Sequence, residues 1–480
     1  MSHSHVAVVG AGFGGLAVAI RLQQAGVDDV VLFERADDVG GCWRDNTYPG
    51  AACDVPSHLY SLSFAPKHDW SRRFAEQPEI LDYLRGVATD SGVRRKVRFS
   101  TEVVSAAFDD GTWTLELSDG TTHTCRVLVS ATGQLSRPAV PDLPGLPDFE
   151  GDAFHSARWR HDVDVTGRDV AVMGTGASAI QVVPHLAATA RSVTVFQRDA
   201  AHVIAKPDRP YRRAFPPALQ RLNRWRNYWQ NETRIAAFQH PSVMRLLERR
   251  FIRHLASSVS DSELRSTLTS SSPMGCKRIL ISNDYYAALA QPHVTVVPHA
   301  VASVRPDGLV DTTGAQHPAD VLVLCTGFAT HDFLAPMRVV GRHGTELSEA
   351  WRNGARTHLG VTVSDFPNLF LLYGPGTNLA HSSITLMLET QASYVVQAVR
   401  ALDGAAWMDV RPEVQDAYDT RLQQRLAGTV WAQGCSSWYK SADGRIDTNW
   451  SGSVTAYRRR LRRLRLADFH VEPVRERVPS

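Results

Sequence analysis

Two glycine turns, each set between a short apolar run and a helical stretch, occur well over a hundred residues apart, and a strand-plus-turn recurs as VLVSATG at 127–133 and VLVLCTG at 321–327. These observations predict an α/β protein made of two tandem Rossmann-like dinucleotide-binding domains with a helical insertion. At 480 residues, with 43% hydrophobic and 21% charged content, the chain is long enough to bury more than one core.

The elements follow in order. Val6 to Val9 reads as a strand, Gly10-Ala11-Gly12-Phe13-Gly14-Gly15 as a tight turn and Leu16 to Gln24 as a helix. Glycines there let the chain turn sharply, let a pyrophosphate approach the backbone, and let helix pack on strand, while the helix N-terminus offers free N–H groups. The next strand, Val30 to Phe33, runs into Glu34, roughly 20 residues beyond Gly12, where a carboxylate accepts hydrogen bonds from ribose hydroxyls. Strand and turn at 127–133 close a first domain over 1–145, with the proline-rich stretch Pro138 to Pro147 as linker.

A second unit repeats the logic with one change. Asp169 to Met173 reads as a strand, Gly174-Thr175-Gly176-Ala177-Ser178-Ala179 as the turn, Ile180 to Ala187 as helix and Val193 to Phe196 as the next strand. Where the first unit has Glu34, this one has Arg198. A guanidinium offers a planar fork of donors to a 2′-phosphate that a carboxylate would repel. The first site is therefore expected to take FAD and the second NADPH. This second domain spans 146–330, with a helical insertion at about 210–272 indicated by arginine- and leucine-rich helical spacing such as Val243 to Leu255. Residues 331–480 return to the first domain, since Phe366 to Gly374 is again strand then glycine turn. The loop Gly374 to Asn378 is expected near the flavin, and Tyr457 to Arg465 as a C-terminal helix with a basic face.

Bulk properties narrow the classes. A net charge of +3 is too mild for a nucleic-acid partner. No apolar run is long enough to span a bilayer, and the start MSHSHVAVVG has no charged n-region or cleavage site, so a cytoplasmic location is expected. Six cysteines, at 42, 53, 125, 276, 325 and 435, show no CxxC and no zinc spacing. They read as reduced thiols, which excludes the disulfide reductases and any metal site. Ser178 and the pair Ser382-Ser383 lack a His and Asp arrangement, so serine hydrolysis has no support.

With those residues in hand, the chain resembles the FAD- and NADPH-dependent Baeyer-Villiger monooxygenases among the class B flavin monooxygenases. Gly41-x-Trp43, Tyr48-Pro49-Gly50 and Asp54 match the family pattern GxWxxxx[FY]P[GM]xxxD, and Phe149, Gly151, His155 and Trp159 match the linker fingerprint FxGxxxHxxxW. Arg160 departs from the Pro or Asp that usually follows. The resemblance implies an enzyme that uses NADPH and O2 to insert one oxygen beside a ketone carbonyl through a C4a-peroxyflavin, giving an ester or lactone. It assigns Arg278 as the catalytic arginine, Asp54 as the acid that holds it, and Lys277 as the lysine that joins Arg198 at the 2′-phosphate. The expected cofactor set is Gly10, Gly12, Phe13, Gly14, Gly15, Glu34, Cys42, Trp43, Asp54, Tyr60 and Val103 on the flavin side, and Gly174, Thr175, Gly176, Ala177, Ser178, Ala179, Arg198, Lys277 and Arg278 on the nicotinamide side. His155 is expected to act as a linker hinge bonding cofactor or backbone. His381, Trp431 and Trp438 are expected in packing or in a substrate pocket. N- or S-oxygenation is the alternative activity, and a non-catalytic redox-dependent flavoprotein the remote one.

Overall fold

The protein is described here by a computed structural model covering residues 2–474. Two sheets organise it. In the first, neighbouring strands run in the order Arg338–Val340, Val103–Asp109, Thr112–Leu117, Thr122–Ser130, Ser2–Val9, Val30–Phe33 and Val97–Arg98, and Leu369–Leu371 also pairs with Thr122–Ser130. Ser2–Val9 is parallel to both neighbours, with Val6 opposite Val30 and Val127. It lies between other layers, so Val6, Ala7 and Val8 are wholly buried, which is why its core reads as a continuous apolar run. The strand begins earlier than its apolar run, because Ser2 and Ser4 hydrogen-bond the two ring nitrogens of His123 at 2.8 and 2.9 Å.

The second sheet is entirely parallel, in the order Val294–Val297, Ser192–Phe196, Asp169–Met173, Val321–Leu324 and Asp152–His155. A small antiparallel sheet, Val301–Arg305, Gly308–Asp311 and Gln316–Pro318, sits beside it. The chain crosses between the sheets twice, and the crossings are tied together: the Ala139 N–H donates to the Gly327 carbonyl at 2.9 Å and the Thr326 hydroxyl to the Ala139 carbonyl at 2.6 Å.

Helices Pro217–Glu232, Ile235–Gln239, Pro241–Ser258 and Ser262–Thr267 occupy the stretch between the strands Val203–Ile204 and Leu280–Ile281. After the second crossing the chain returns to the first sheet through Arg338–Val340 and Leu369–Leu371, and Ile384–Ala401 packs along Phe13–Gln24.

Two expectations are corrected here. The C-terminal helix is Val454–Leu461 rather than 457–465: the Ser453 hydroxyl accepts from the Ala456 N–H and starts it early, and Val454, Tyr457 and Leu461, spaced about one turn apart, are its buried contacts. Beyond it, Phe469–Pro473 forms a strand antiparallel to Ala405–Val410. The cysteines are not all reduced thiols, because Cys276 and Cys435 form a disulfide with Cα atoms 6.3 Å apart. They lie 159 positions apart, and only the docking of the C-terminal loop beside Lys277 and Arg278 brings them together, which no spacing rule could reveal. Cys42, Cys53, Cys125 and Cys325 remain free.

Candidate functional site

The carboxyl ends of the parallel strands open onto one cavity of about 1060 Å³, beyond the upper end of the roughly 300–1,000 Å³ usual for a single small ligand. Both glycine turns reach it. Helices Phe13–Gln24 and Ala177–Ala187 begin there, and in each case the residue before the helix, Gly12 or Gly176, supplies no side-chain cap. The first-turn N–H groups of both helices are thus left to a ligand, and with no acid in either first turn the partial positive charge faces the cavity undiminished. Gly15 lies behind the turn, where a Cβ would meet the Gly10 carbonyl oxygen at 1.9 Å, so only glycine allows that helix to close on its strand. A Cβ on Gly176 would meet nothing within 4 Å and would project into the open space that a phosphate could fill. Two uncapped helix ends, with an open cradle at Gly176, suit two pyrophosphates.

Of the expected cofactor residues, all but Gly15 and Ala179 line the cavity; those two pack beneath the turns. Glu34 is at the wall, with one carboxylate oxygen taking the Ala11 N–H at 2.8 Å and the other taking the Ala36 N–H at 3.1 Å and Arg44 at 3.0 Å. Trp43 donates its ring N–H to the Tyr60 hydroxyl at 3.0 Å, and Tyr60 packs edge-on against Phe13, which fixes that wall.

Arg278 and Asp54 meet across the cavity from elements 224 positions apart. The guanidinium donates through Nε and Nη2, at 3.0 and 2.5 Å, to the single oxygen Oδ2 of Asp54. The carboxylate raises the Arg278 pKa above its ordinary value against the opposing effect of burial, so the cation is permanent. Tyr439 stands close by; burial pushes its hydroxyl up to about 12, so it stays neutral.

The nicotinamide-side charges are arranged less simply. Arg198 is exposed at the cavity edge and forms no ion pair among the described residues. Lys277, by contrast, is held by Asp199 at 2.5 Å, and Asp199 also accepts from the Ser270 and Ser272 hydroxyls at 3.0 and 2.8 Å. Burial would raise the Asp199 carboxyl, but the bond from Lys277 and those hydroxyls outweigh it and keep it below the usual range.

The linker residues stand off the cavity. His155 accepts the Ala157 N–H on Nδ1 at 3.0 Å, so its proton sits on Nε2, 3.0 Å from the Gly327 carbonyl; burial lowers its pKa and favours this neutral form. It therefore ties backbone to the second crossing. Trp159 packs edge-on against Phe154, and Phe149 packs among partly buried residues of the second sheet's core. At Gly151 a Cβ would meet the Asp320 carbonyl oxygen at 2.3 Å. The departing Arg160 is a surface residue paired with Asp152 at 2.9 Å and Asp162 at 2.6 Å. Trp438 lines the cavity, whereas Trp431 is buried against Phe238 and His381 is buried 3.7 Å from Glu232.

Sequence reading missed Asp199, Arg44, Gln134 and Tyr373 as wall or supporting residues. Asp199 had a local signal, an acid directly after Arg198, and Tyr373 directly precedes the loop Gly374 to Asn378 expected near the flavin.

Comparison with known proteins supports the same reading. Residues 7–250 match the family model for pyridine nucleotide-disulphide oxidoreductases. A Baeyer-Villiger monooxygenase of Streptomyces coelicolor is 44% identical over 98% of this chain and 93% of its own length. One from Pseudomonas aeruginosa is 40% identical over 98% and 92%. Among solved structures, an oxidized steroid monooxygenase bound to NADP matches with a TM-score of 0.88 at 32% identity, covering 98% of this chain and all of that one. Closed cyclohexanone monooxygenase matches at 0.89 and 26% identity, over 99% and 100%. The chain belongs to the FAD- and NADPH-dependent Baeyer-Villiger monooxygenases, within that wider oxidoreductase family.

Proposed function

We propose that this enzyme inserts one oxygen atom from O2 beside the carbonyl of a small-molecule ketone, giving an ester or lactone, with Arg278 as its catalytic residue and Asp54 as the residue that positions it. The observation that carries this reading is a permanent guanidinium, held at a single carboxylate oxygen, on the wall of a cavity served by both glycine turns. Gly10 to Gly15, Glu34, Trp43 and Tyr60 would hold FAD, and Gly174 to Ala179 with Arg198 would hold NADPH. The bound flavin and nicotinamide supply electron transfer and oxygen activation. The chain itself supplies orientation and charge: Asp54 engages two of the guanidinium's roughly five N–H groups, leaving the Nη1 end to face negative charge developing on the ketone oxygen. Trp438, Leu388 and Ile384 add apolar wall to the same cavity.

The proposed division is an FAD domain over 1–145 completed by 331–480 and an NADPH domain over 146–330, in a cytoplasmic protein. No helix among the described residues is long and apolar enough to cross a membrane. The test is a panel of cyclic, linear and aryl ketones with NADPH, read as product mass and NADPH consumed. Ester or lactone from at least one class is expected; NADPH oxidation yielding only hydrogen peroxide across the panel, with sulfoxide from a thioether control, would replace the ketone reading with heteroatom oxygenation.

A further inference from the structure

The helix Pro217–Glu232 is packed inside out. Its buried side carries Gln220, Asn223, Asn227, Asn231 and Glu232, while Leu219, Leu222, Trp225 and Trp229 are 48, 58, 61 and 46% exposed. The polar side is built in: Asn223 reaches Nδ1 of His58 at 2.5 Å, Arg224 donates to the carbonyls of His58 and Ser61 at 2.8 and 2.9 Å, and Glu232 accepts the Val454 and Thr455 N–H groups. Rotating the helix to hide its tryptophans would break all of these. Two tryptophans and two leucines on one exposed stripe are far more apolar surface than scattered single residues would be.

Charge around the stripe selects what covers it. At 3.6 residues per turn, Arg221 and Arg226 fall on opposite flanks of the line through Leu222, Trp225 and Trp229. The helix Val454–Leu461 lies alongside, joined by the Tyr228 hydroxyl to Thr455 at 2.8 Å and by Arg458 over the Tyr228 ring at 5.3 Å, and it brings Arg459. Elsewhere in the insertion, helix Pro241–Ser258 exposes Leu246 and Ile252 and carries Arg245, Arg249, Arg250 and Arg253 against Glu248 as its one acid. A second copy of this chain would set arginine against arginine. An anionic lipid surface answers both features, since tryptophan seats at the headgroup boundary and arginine pairs with lipid phosphates.

We propose that the insertion is a peripheral membrane-docking surface for anionic lipid, with Leu222, Trp225 and Trp229 entering the interface and Arg221 and Arg226 engaging headgroups. This goes beyond the proposed reaction and is independent of it. The holoenzyme should cosediment with phosphatidylglycerol-containing vesicles at least tenfold better than with pure phosphatidylcholine, and the difference should shrink in high salt. Tryptophan emission should shift to the blue on binding. The triple variant Leu222→Ser, Trp225→Ser, Trp229→Ser should lose at least tenfold in binding, and Arg221→Glu with Arg226→Glu should lose most of the anionic preference. Both variants should keep the NADPH oxidation of the unaltered protein on a water-soluble ketone, showing that they fold. Failure of the unaltered protein to bind anionic vesicles, or equal binding by folded triple variant, overturns the proposal. So does light scattering that finds a dimer which the triple variant dissociates, because a second copy is then the occupant.

Discussion

Replacing Arg278 by alanine removes the guanidinium that Asp54 holds on the cavity wall. Two losses are separable. In the resting protein, Asp54 loses donors at 3.0 and 2.5 Å, but both side chains keep about a third of their surface open to the cavity, at 27 and 32%. Water can therefore resolvate the carboxylate, and the stability cost should fall below the ~3–5 kcal/mol of a fully buried broken pair. In the reaction, a donor preorganised at developing negative charge contributes about 2.7–4 kcal/mol, or roughly 10²–10³ in rate. Product formation should therefore drop at least that far while the fold survives. FAD should still bind, because the turn Gly10 to Gly15 and Glu34 make no contact with Arg278. Arg278→Lys should fail nearly as badly: Nε and Nη2 converge on one oxygen, and an ammonium can make that bond or face the substrate but not both. The assay is ester or lactone formed per NADPH consumed, with hydrogen peroxide measured in parallel. Near-normal coupling in Arg278→Ala on a good ketone would refute the role assigned to this residue.

The purified protein should carry about one FAD per chain, visible as yellow colour; colourless folded protein that does not take up added FAD would contradict the cradle reading. Arg198→Ala should cost NADPH roughly 1.5–3 kcal/mol in kcat/KM and leave NADH unchanged. Lys277→Met should also weaken NADPH, since it leaves Asp199 uncompensated beside the 2′-phosphate site, and steady-state ratios for the two nucleotides distinguish these from equal use of both. Glu232 tests pH dependence: burial opposes its charge, but His381 and the Thr455 and Val454 donors hold its pKa at about 2, below the ordinary 4.5. Its contribution is full above pH 4.5 and lost as pH falls toward 2, so in Glu232→Gln thermal melts between pH 3 and 7 should show a lower Tm at neutral pH and a shallower acid decline. Peptide mapping without reductant should recover Cys276 linked to Cys435, and free thiols at both positions in protein kept from reductant would contradict the pairing.

Local sequence alone determined the two nucleotide turns, the order of their strands and helices, and the acid-versus-arginine contrast at Glu34 and Arg198. These are written in neighbouring residues because a strand, a sharp turn and a helix N-terminus are each short-range demands on side-chain size and backbone angle. Arg278 and Asp54 were legible only through resemblance, since nothing within either segment points to the other. Tertiary structure alone decided that Lys277 faces Asp199, that Cys276 meets Cys435, that His155 bonds the second crossing and that Trp438 joins the cavity while Trp431 does not. It also decided which side of Pro217–Glu232 is buried: amphipathic spacing marks an apolar face but not its direction, and here His58, Ser61 and Thr455 offer partners that only the polar face can satisfy. Contacts between segments hundreds of residues apart depend on how the two sheets and the returning C-terminal chain pack, and packing leaves no periodic trace in either segment by itself.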